Sequence, residues 1–406
     1  MSTFKPPHYL RWTLLTLAAG SLLAAALVIV IDPYSLYGVV NQPGLNQVKP
    51  GLTRYQDEIK VTQALHSGAT QLIFGNSRAE IGFDPDAAVM AQGGTGYNLA
   101  IPGTGIGTAL GQLRYLRAAG MRPSTIVAGM EFLDFMENKP VAVHAMVAAA
   151  PRSQPHPVEQ LSWKLQTLYS FTSVKDALGT IAIQHDGEAN TMSPKGFNPL
   201  LEYQKFARVD GYHQMFAQRA RENAISFTRK AVGGLNEEEV QREVGAFLDN
   251  AATPGSDIHL VIYPYHTQIL LLFEETGIWP AFERWKVLLI DEIAKARQRH
   301  PGARISLQDF SGFGVYNCEA IPAPDDRKSS TQWYWEGGHF KKALGDIVLA
   351  HTLRPEPEQE FGYLLDAASI PQNRVRIASE RAACQQRQPR LFTETRRFLP
   401  QRLAAK

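Results

Sequence analysis

The longest apolar stretch of the chain lies near its N-terminus, where residues 13–31 read TLLTLAAGSLLAAALVIVI without a charge. As an α-helix, these nineteen residues rise about 29 Å, close to the thickness of the hydrocarbon core of a bilayer. Lys5 and Arg11 precede the stretch, and the next basic residue is Lys49. By the positive-inside rule, we expect residues 1–12 in the cytoplasm, residues 13–31 across the inner membrane and the main domain in the periplasm.

A cleaved signal peptide is the alternative interpretation, because the small residues 24–26 (Ala-Ala-Ala) could precede a cleavage site. The apolar residues continue to Ile31, however, and the run is longer than the usual signal core of about 7–15 residues. The pattern therefore favours a single-pass anchor, and both interpretations predict export.

Five short apolar runs are typical of buried parallel strands, since they are brief, rich in β-forming residues and bounded by Gly, Pro or Asn. The predicted strands cover residues 71–74, 97–100, 125–128, 258–263 and 304–307. Helical patterns at 108–119 and 280–300 separate the second strand from the third and the fourth from the fifth. This alternation predicts an α/β fold with a doubly wound, mainly parallel sheet.

Residues 136–255 interrupt the alternation with helical patterns alone, at 159–168, 214–232 and from Asn236 to about residue 250. We interpret them as a helical insertion that covers or borders the site, with exposed loops at 150–157 and 186–199. The α/β domain then consists of residues 32–135 and 256–354. Residues 355–406 form a basic, helix-prone tail, interpreted as a solvated face or, alternatively, as a surface for the membrane or an acidic partner.

Composition excludes several other functions. The net charge is +2 and no basic cluster precedes the tail, so that nucleic-acid binding is not expected. No metal-ligand spacing and no Gly-rich phosphate loop occur, and we predict neither a metal nor another cofactor. The two cysteines, Cys318 and Cys384, are too few for a disulfide framework. A single bridge between them is possible in an oxidising compartment.

Three short motifs carry candidate chemistry. In the first, residues 72–78 read LIFGNSR, so that Ser77 lies at the turn between a strand and a helix. A serine there is exposed at the carboxyl edge of the sheet, and its N–H can stabilise an oxyanion. The alternative is a serine that only caps a helix.

In the second motif, residues 97–103 read YNLAIPG. Gly103 can bring its N–H close to a substrate, and Asn98 can donate a hydrogen bond. A simple Pro-Gly turn is the alternative.

The third motif, WEGGHF at residues 335–340, precedes a predicted helix at 341–353 and contains Glu336 and His339. A carboxylate that orients a histidine, which then deprotonates a serine, is the logic of a catalytic triad. A surface ion pair is the alternative.

In this order, Gly-x-Ser, Asn-x-x-x-x-Gly and acid-x-x-His resemble the motifs of the SGNH (GDSL-type) hydrolases, over about residues 71–353. The chain is most similar to membrane-anchored, exported relatives such as alginate O-acetyltransferase domains and the teichoic-acid D-alanylation protein. The resemblance implies a flavodoxin-like fold with Ser77 as nucleophile, His339 as general base and Glu336 as the residue that orients it. It also implies an oxyanion hole formed by the N–H groups of Ser77 and Gly103, to which Asn98 could contribute.

Three departures from the family pattern concern the same site. Asn76 stands where the family has Asp, Glu336 stands where the triad acid is Asp, and Glu131 stands where an Asn would donate to the oxyanion. A carboxylate is a poor donor unless it is protonated, and loss of one such donor costs about 3 kcal/mol of transition-state stabilisation.

The remaining candidates line the expected pocket. Asn76, Arg78 and Glu131 adjoin the motifs, and His266 follows the fourth strand. Asp309 follows the fifth strand and is an alternative triad acid or a turn residue. Trp335 is expected to pack in the fold or, beside His339, to hold the face of a sugar.

The expected function is that of a serine esterase or O-acyltransferase acting on acyl groups of a cell-envelope polysaccharide or glycoconjugate, with a membrane acyl-donor protein as a possible partner. The alternative is a weak or inactive binding or assembly component of a machine that modifies an envelope polymer.

Overall fold

Short runs of β-branched and aromatic residues form the strands in the computed structural model, which describes residues 6–137, 157–355 and 360–399. The strands are β1 (Lys49–Pro50), β2 (Gln71–Phe74), β3 (Gly96–Asn98), β4 (Thr125–Met130), β5 (Thr191–Met192), β6 (Asp257–Ile262), β7 (Arg304–Asp309), β8 (Tyr334–Glu336), β9 (His339–Phe340) and β10 (Tyr363–Leu364).

Helices account for most of the remaining described residues. They are α1 (Pro6–Ile31), α2 (Gln56–Ser67), α3 (Ser77–Gly82), α4 (Ala88–Ala91), α5 (Ile106–Ala118), α6 (Pro157–Tyr169), α7 (Phe171–Ala182), α8 (Tyr203–Asp210), α9 (Tyr212–Gly233), α10 (Glu237–Ala251), α11 (Thr267–Glu275), α12 (Trp279–Arg299), α13 (Lys342–Leu353), α14 (Ile370–Arg387) and α15 (Pro389–Arg396), with a 3-10 helix at Phe132–Phe135.

The central sheet has six strands in the order β10-β7-β6-β4-β2-β3. The five strands from β7 to β3 are parallel to their neighbours, and β10 is an antiparallel edge strand. All four residues of β2 are buried, as expected for a parallel strand with both faces covered. The prediction of a mostly parallel α/β sheet is confirmed, and the five predicted strands match the observed ones within about two residues.

The predicted helices between residues 136 and 255 are also present where the structure describes the chain. Helix α10 begins after Asn236, whose side chain accepts a hydrogen bond from the N–H of Glu239 at 3.0 Å. This helix packs against the sheet, because Phe247 meets Phe74 of β2 edge-on at 5.8 Å. A short strand was not predicted here: β5 pairs with β1, which follows the N-terminal helix. The predicted loop at 150–157 lies almost wholly outside the described residues.

The basic tail differs from its predicted description as a solvated face. It supplies the edge strand β10 and the helices α14 and α15, and it is joined to the body by a disulfide between Cys318 and Cys384. Asn373 of α14 donates to Asp309 at 2.9 Å, inside the protein. Its basic side chains form ion pairs with the body, as in Arg381–Glu274. These contacts make the tail part of the domain. The sequence did not predict this, because a basic composition does not show which acidic residues the basic side chains pair with.

Helix α1 is long and apolar enough to cross a membrane. Large side chains in its middle are exposed, including Leu22 at 67% and Leu23 at 72%. Only its C-terminal part is packed against the rest of the chain, where Val28 and Ile31 are buried. An apolar surface of this kind requires an apolar environment.

Candidate active site

The site lies where the order of the parallel strands reverses. β2 comes first in the chain among the parallel strands of the sheet, and it has β3 on one side and β4 on the other. The connections that leave β2 and β4 therefore diverge and leave a crevice at the carboxyl ends of these two strands. Ser77 follows β2 and Glu131 follows β4, so that topology alone brings these two residues to one crevice.

A sharp turn presents Ser77 at the start of α3. Gly75 has φ +148°, and a Cβ at this position would collide with the hydroxyl of Tyr263. Only glycine allows both this conformation and this close approach. Asn76 then caps the helix, because its Oδ1 accepts from the N–H of Arg78 at 3.0 Å. As the first residue of the helix, Ser77 has an N–H without an intrahelical partner.

Ser77, His339 and Glu336 form a continuous hydrogen-bonded relay. The Nε2 of His339 lies 2.8 Å from the Oγ of Ser77, across 262 residues of sequence. The Nδ1 of His339 bonds the Oε1 of Glu336. Glu336 ends β8 and His339 begins β9, two strands that pair antiparallel around Gly337 and Gly338. When Nδ1–H donates to the carboxylate, Nε2 is left to accept the proton of the serine.

Glu336 is buried, yet it is held in its charged form. Burial raises the pKa of its carboxyl, but His339, Arg219 and the Gly338 N–H outweigh burial and lower the pKa to about 2. The Gly338 N–H donates to Oε2 at 2.6 Å, and the Nε of Arg219 lies 3.1 Å from the same oxygen. One carboxylate oxygen is thus fixed by the protein while the other faces the histidine.

Arg219 was not predicted as a site residue. It lies on α9, more than one hundred positions from Glu336 in the sequence, and it is one of several arginines on that helix. Nothing in the local pattern distinguishes it. Its ion pair places α9, within the predicted helical insertion, against the carboxylate of Glu336.

Glu131 accepts hydrogen bonds where the family pattern would place a donor. It forms an ion pair with Arg78, and its Oε1 accepts from the Tyr265 hydroxyl at 2.9 Å. The Nδ2 of Asn76 lies 3.4 Å from its Oε2. The Arg78 guanidinium also lies over the ring of Tyr265, 5.2 Å from the centroid. Asn76, Arg78 and Glu131, all candidate pocket residues, therefore form one network beside Ser77.

The two candidate oxyanion residues after β3 differ from each other. Gly103 lies in an exposed loop at φ +72°, with open space where a Cβ would be, so that its N–H remains a candidate donor. The expectation for Asn98 needs correction. Its Nδ2 donates to the carbonyl oxygens of Ala79 and Phe83, both at 2.8 Å. Because the amide is buried and fully used in holding α3, it has no hydrogen left for a substrate.

The expectation for His266 also needs correction, because this residue does not line a pocket. Its side chain is fully buried, Nδ1 accepts from the Gln268 N–H at 3.1 Å and Nε2 donates to the Glu319 carbonyl at 3.0 Å. Burial lowers the pKa of His266 from its ordinary value of 6.5 to about 4, although the Glu319 carbonyl and Glu336 oppose this shift. His266 is therefore a neutral residue that caps α11.

Asp309 is not an alternative triad acid. It is completely buried, and its carboxylate accepts from Lys286 at 2.9 Å and from Asn373 at 2.9 Å. Despite burial, the charges of Lys286 and Arg376 keep the pKa of Asp309 below its usual range. The residue ties the end of β7 to α12 and to the tail.

Trp335 packs in the fold rather than presenting a free face. It is 7% exposed, its ring meets Tyr203 edge-on at 6.1 Å, and the Nζ of Lys341 lies 4.7 Å from its centroid. The expectation of packing fits these contacts, and a stacked sugar would have to displace Tyr203 or Lys341.

Within residues 6–137, 157–355 and 360–399, no group of three or more His, Cys, Asp or Glu side chains is arranged to hold a metal ion. Comparison of the chain with protein-family models, with curated proteins and with solved structures finds no match.

Proposed function

We propose that the protein is a membrane-anchored, exported serine esterase or O-acyltransferase of the SGNH type. The observation that carries this proposal is the relay from Ser77 through His339 to Glu336. Serine, histidine and a buried carboxylate in this order are the elements that activate a hydroxyl for acyl transfer. The relay also lies in the crevice where an open α/β sheet binds its ligands.

The strand order supports the family. If the parallel strands are numbered along the chain, β3, β2, β4, β6 and β7 lie in the order 2-1-3-4-5. This is the flavodoxin-like order of a doubly wound sheet, and it is the fold that the resemblance implies. The positions of the proposed catalytic residues match the family's arrangement as well. Ser77 follows the first parallel strand, β2, and Glu336 and His339 follow the last one, β7.

The first half of the proposed reaction forms an acyl-serine. His339 takes the proton of the Ser77 hydroxyl, and Oγ attacks the carbonyl carbon of an ester. The negative charge on the carbonyl oxygen is stabilised by the Ser77 N–H at the start of α3 and by the Gly103 N–H. When the tetrahedral intermediate collapses, the C–O bond of the ester breaks and His339 returns the proton to the leaving alcohol.

The second half transfers the acyl group. His339 removes a proton from water, giving hydrolysis, or from a sugar hydroxyl, giving transfer, and the new oxygen attacks the carbonyl carbon of the acyl-serine. The bond between that carbon and Oγ of Ser77 then breaks, and His339 returns the proton to Oγ. In both halves the imidazolium stands beside the Glu336 carboxylate, whose pKa near 2 keeps it charged at neutral pH. Arg219 holds that carboxylate from its far side.

The substrate class follows from the proposed location. Helix α1 has the length and apolarity of an anchor, and the disulfide between Cys318 and Cys384 is typical of an oxidising compartment outside the cytoplasm. Envelope polysaccharides and glycoconjugates carry acyl esters that are accessible there. We therefore propose such a polymer as the substrate and a membrane protein as the donor if the reaction is a transfer.

A second candidate is a binding or assembly component with little turnover. It is favoured by one observation: Glu131 and its ion pair with Arg78 occupy the position at which the family places a donor. Loss of such a donor costs about 3 kcal/mol, or about a hundredfold in rate.

An assay of the full-length protein in detergent, with a chromogenic acetyl ester as substrate, distinguishes the two candidate functions by the rate of ester hydrolysis. An enzyme requires Ser77, so that Ser77→Ala should lower kcat by at least about a thousandfold. Ser67→Ala is the matched control, because the exposed Ser67 bonds only the Ala64 carbonyl of its own helix at 2.8 Å. Equal residual rates in the wild type and both folded variants would support the binding component instead.

A further inference from the structure

A hairpin of two helices packs directly against the C-terminal end of α1. It consists of α6 and α7, whose side chains are described from Ser162 to Ala182. Ala177 of α7 is buried against Val28 and Ile31 of α1, and Val174 and Ile181 pack around the same contact. These three α7 residues recur at intervals of three and four, which is one face of a helix.

A second contact fixes the hairpin to the exported domain. Trp163 of α6 is buried with Tyr34 and with Ile59 of α2. The Tyr34 hydroxyl donates to Asp176 of α7 at 2.5 Å, and Arg54 lies 3.7 Å from the same carboxylate. The hairpin therefore contacts both α1 and the domain.

The outer surface of the hairpin is apolar, and it is left uncovered by residues 6–137, 157–355 and 360–399. Phe171 is 87% exposed, and Leu178, Tyr169 and Leu165 are 55%, 51% and 46% exposed. In the loop that follows α1, Val39 is 64% exposed. These residues belong to α6, α7 and the loop that follows α1, and both helices pack against α1.

Charge on the hairpin also fits a lipid surface. Among residues 162–182 the charged side chains are Lys164, Lys175 and Asp176. Both lysines are exposed, whereas Asp176 is occupied by Tyr34 and Arg54. The outer surface therefore combines bulky apolar side chains with two exposed lysines, the composition of helices that lie in a membrane interface.

The depth of the hairpin follows from its contact with α1. Val28 and Ile31 lie about 4.5 Å apart along the helix axis, and Ile31 is the last residue of the apolar run. A helix that packs on Val28 and Ile31 must lie at the boundary between headgroups and acyl chains. Apolar side chains of interfacial helices reach about 5–10 Å into that boundary.

We propose that the α6–α7 hairpin is seated in the interfacial layer of the bilayer, with Phe171 and Leu178 among the acyl chains. The hairpin and α1 together then fix the orientation of the exported domain relative to the membrane surface. This inference rests on the membrane anchor of the proposed function, and it does not depend on the catalytic role of Ser77.

The test uses the full-length protein reconstituted in phosphatidylcholine vesicles. The chain has two cysteines, which form a disulfide, so that a single introduced cysteine can be labelled with an environment-sensitive fluorophore. Phe171→Cys and Leu178→Cys probe the hairpin. Val375→Cys is the matched control: it is 70% exposed on α14, a helix attached at the β7 side of the sheet, whereas the hairpin reaches the domain through α2.

Lipids with a nitroxide near the headgroup should quench both hairpin labels about twofold or more and leave the Val375→Cys label unchanged. Leu22→Cys, in the exposed middle of α1, reports the anchor separately, because lipids with a nitroxide deep in the acyl chain should quench it. Quenching of Leu22→Cys without quenching of the hairpin labels would overturn this inference alone. Absence of quenching at all four positions would overturn the membrane anchor as well.

Discussion

At the scale of single residues, the departures from the family pattern explain one another. Asn76 donates toward Glu131 at 3.4 Å, where an aspartate would place a second carboxylate against the first. Glu131 in turn holds Arg78 and Tyr265. An amide at position 76 is therefore compatible with a carboxylate at position 131, which explains why Gly-Asn-Ser occurs together with Glu131. The longer Glu336 is accommodated because the Gly338 N–H and Arg219 fix its far oxygen.

A double-mutant cycle tests this coupling. Asn76→Asp should destabilise the protein because two carboxylates would then face each other in a buried network. In the Glu131→Gln background the same substitution should cost about 1–3 kcal/mol less. Chemical unfolding of the four variants in detergent measures the coupling, and a coupling free energy of zero would contradict it.

His266 provides a pH-dependent test at the same scale. Its pKa is about 4 in the folded protein and 6.5 ordinarily, so that below pH 6.5 the unfolded chain binds a proton that the folded protein does not. Stability must therefore fall as the pH is lowered from 6.5 to 4, by up to about 3 kcal/mol from this residue.

His266→Asn keeps an oxygen that can cap α11 and removes the titration. The variant should be less stable at pH 7, yet it should lose less stability than the wild type between pH 6.5 and pH 4. Unfolding curves at a series of pH values measure both. Parallel losses in the two proteins would show that His266 does not remain neutral in the folded state.

At the scale of elements, the five parallel strands of the sheet were predictable because each is a short, β-rich run with clear boundaries. The two-residue strands β1, β5, β9 and β10 were not, since so few residues carry no periodicity. Their positions depend on tertiary contacts instead. β10 is placed by a tail whose helix α14 is tied to Asp309 through Asn373 and to Cys318 through Cys384.

The site was predictable to the same extent, and for a similar reason. Ser77, Gly103, Glu336 and His339 lie in short motifs with characteristic spacing, whereas Arg219 has no local signal on its helix. The expectations for His266 and Asp309 rested on position at the edge of the sheet, and that for Asn98 rested on its position in the Asn-x-x-x-x-Gly motif after a strand. Position does not show whether a side chain is already occupied by neighbouring backbone or charge, and all three are.

The disulfide gives a prediction for the tail. It closes a segment with a sequence separation of 66 residues, and its loss should cost about 4 kcal/mol through the entropy of the unfolded chain. Unfolding of the full-length protein with and without reductant measures this cost. The double variant Cys318→Ser, Cys384→Ser is the control and should resemble the reduced wild type; a wild type insensitive to reductant would contradict the prediction.

At the scale of the whole molecule, the site draws on three distant parts of the chain. β2 and α3 supply the proposed nucleophile, the hairpin of β8 and β9 supplies the proposed base and acid, and α9 of the insertion supplies Arg219. Phe340 of β9 packs against Phe83 at the end of α3, and this contact holds the first two together. Helices α1, α6 and α7 pack together and meet the domain through Tyr34 and through Ile59 of α2. The proposed membrane attachment and the proposed chemistry therefore belong to different elements.

The central claim is that Ser77 is an activated nucleophile, and the most direct test is covalent labelling by a fluorophosphonate. The full-length protein in detergent is treated with the probe, and the modified peptide is mapped by mass spectrometry, in parallel with Ser77→Ala, His339→Ala and Ser67→Ala. The relay predicts modification at Ser77 in the wild type and in Ser67→Ala, and loss of modification in the other two variants. No labelling of a folded wild type, or labelling that persists in His339→Ala at the same rate, would contradict the claim.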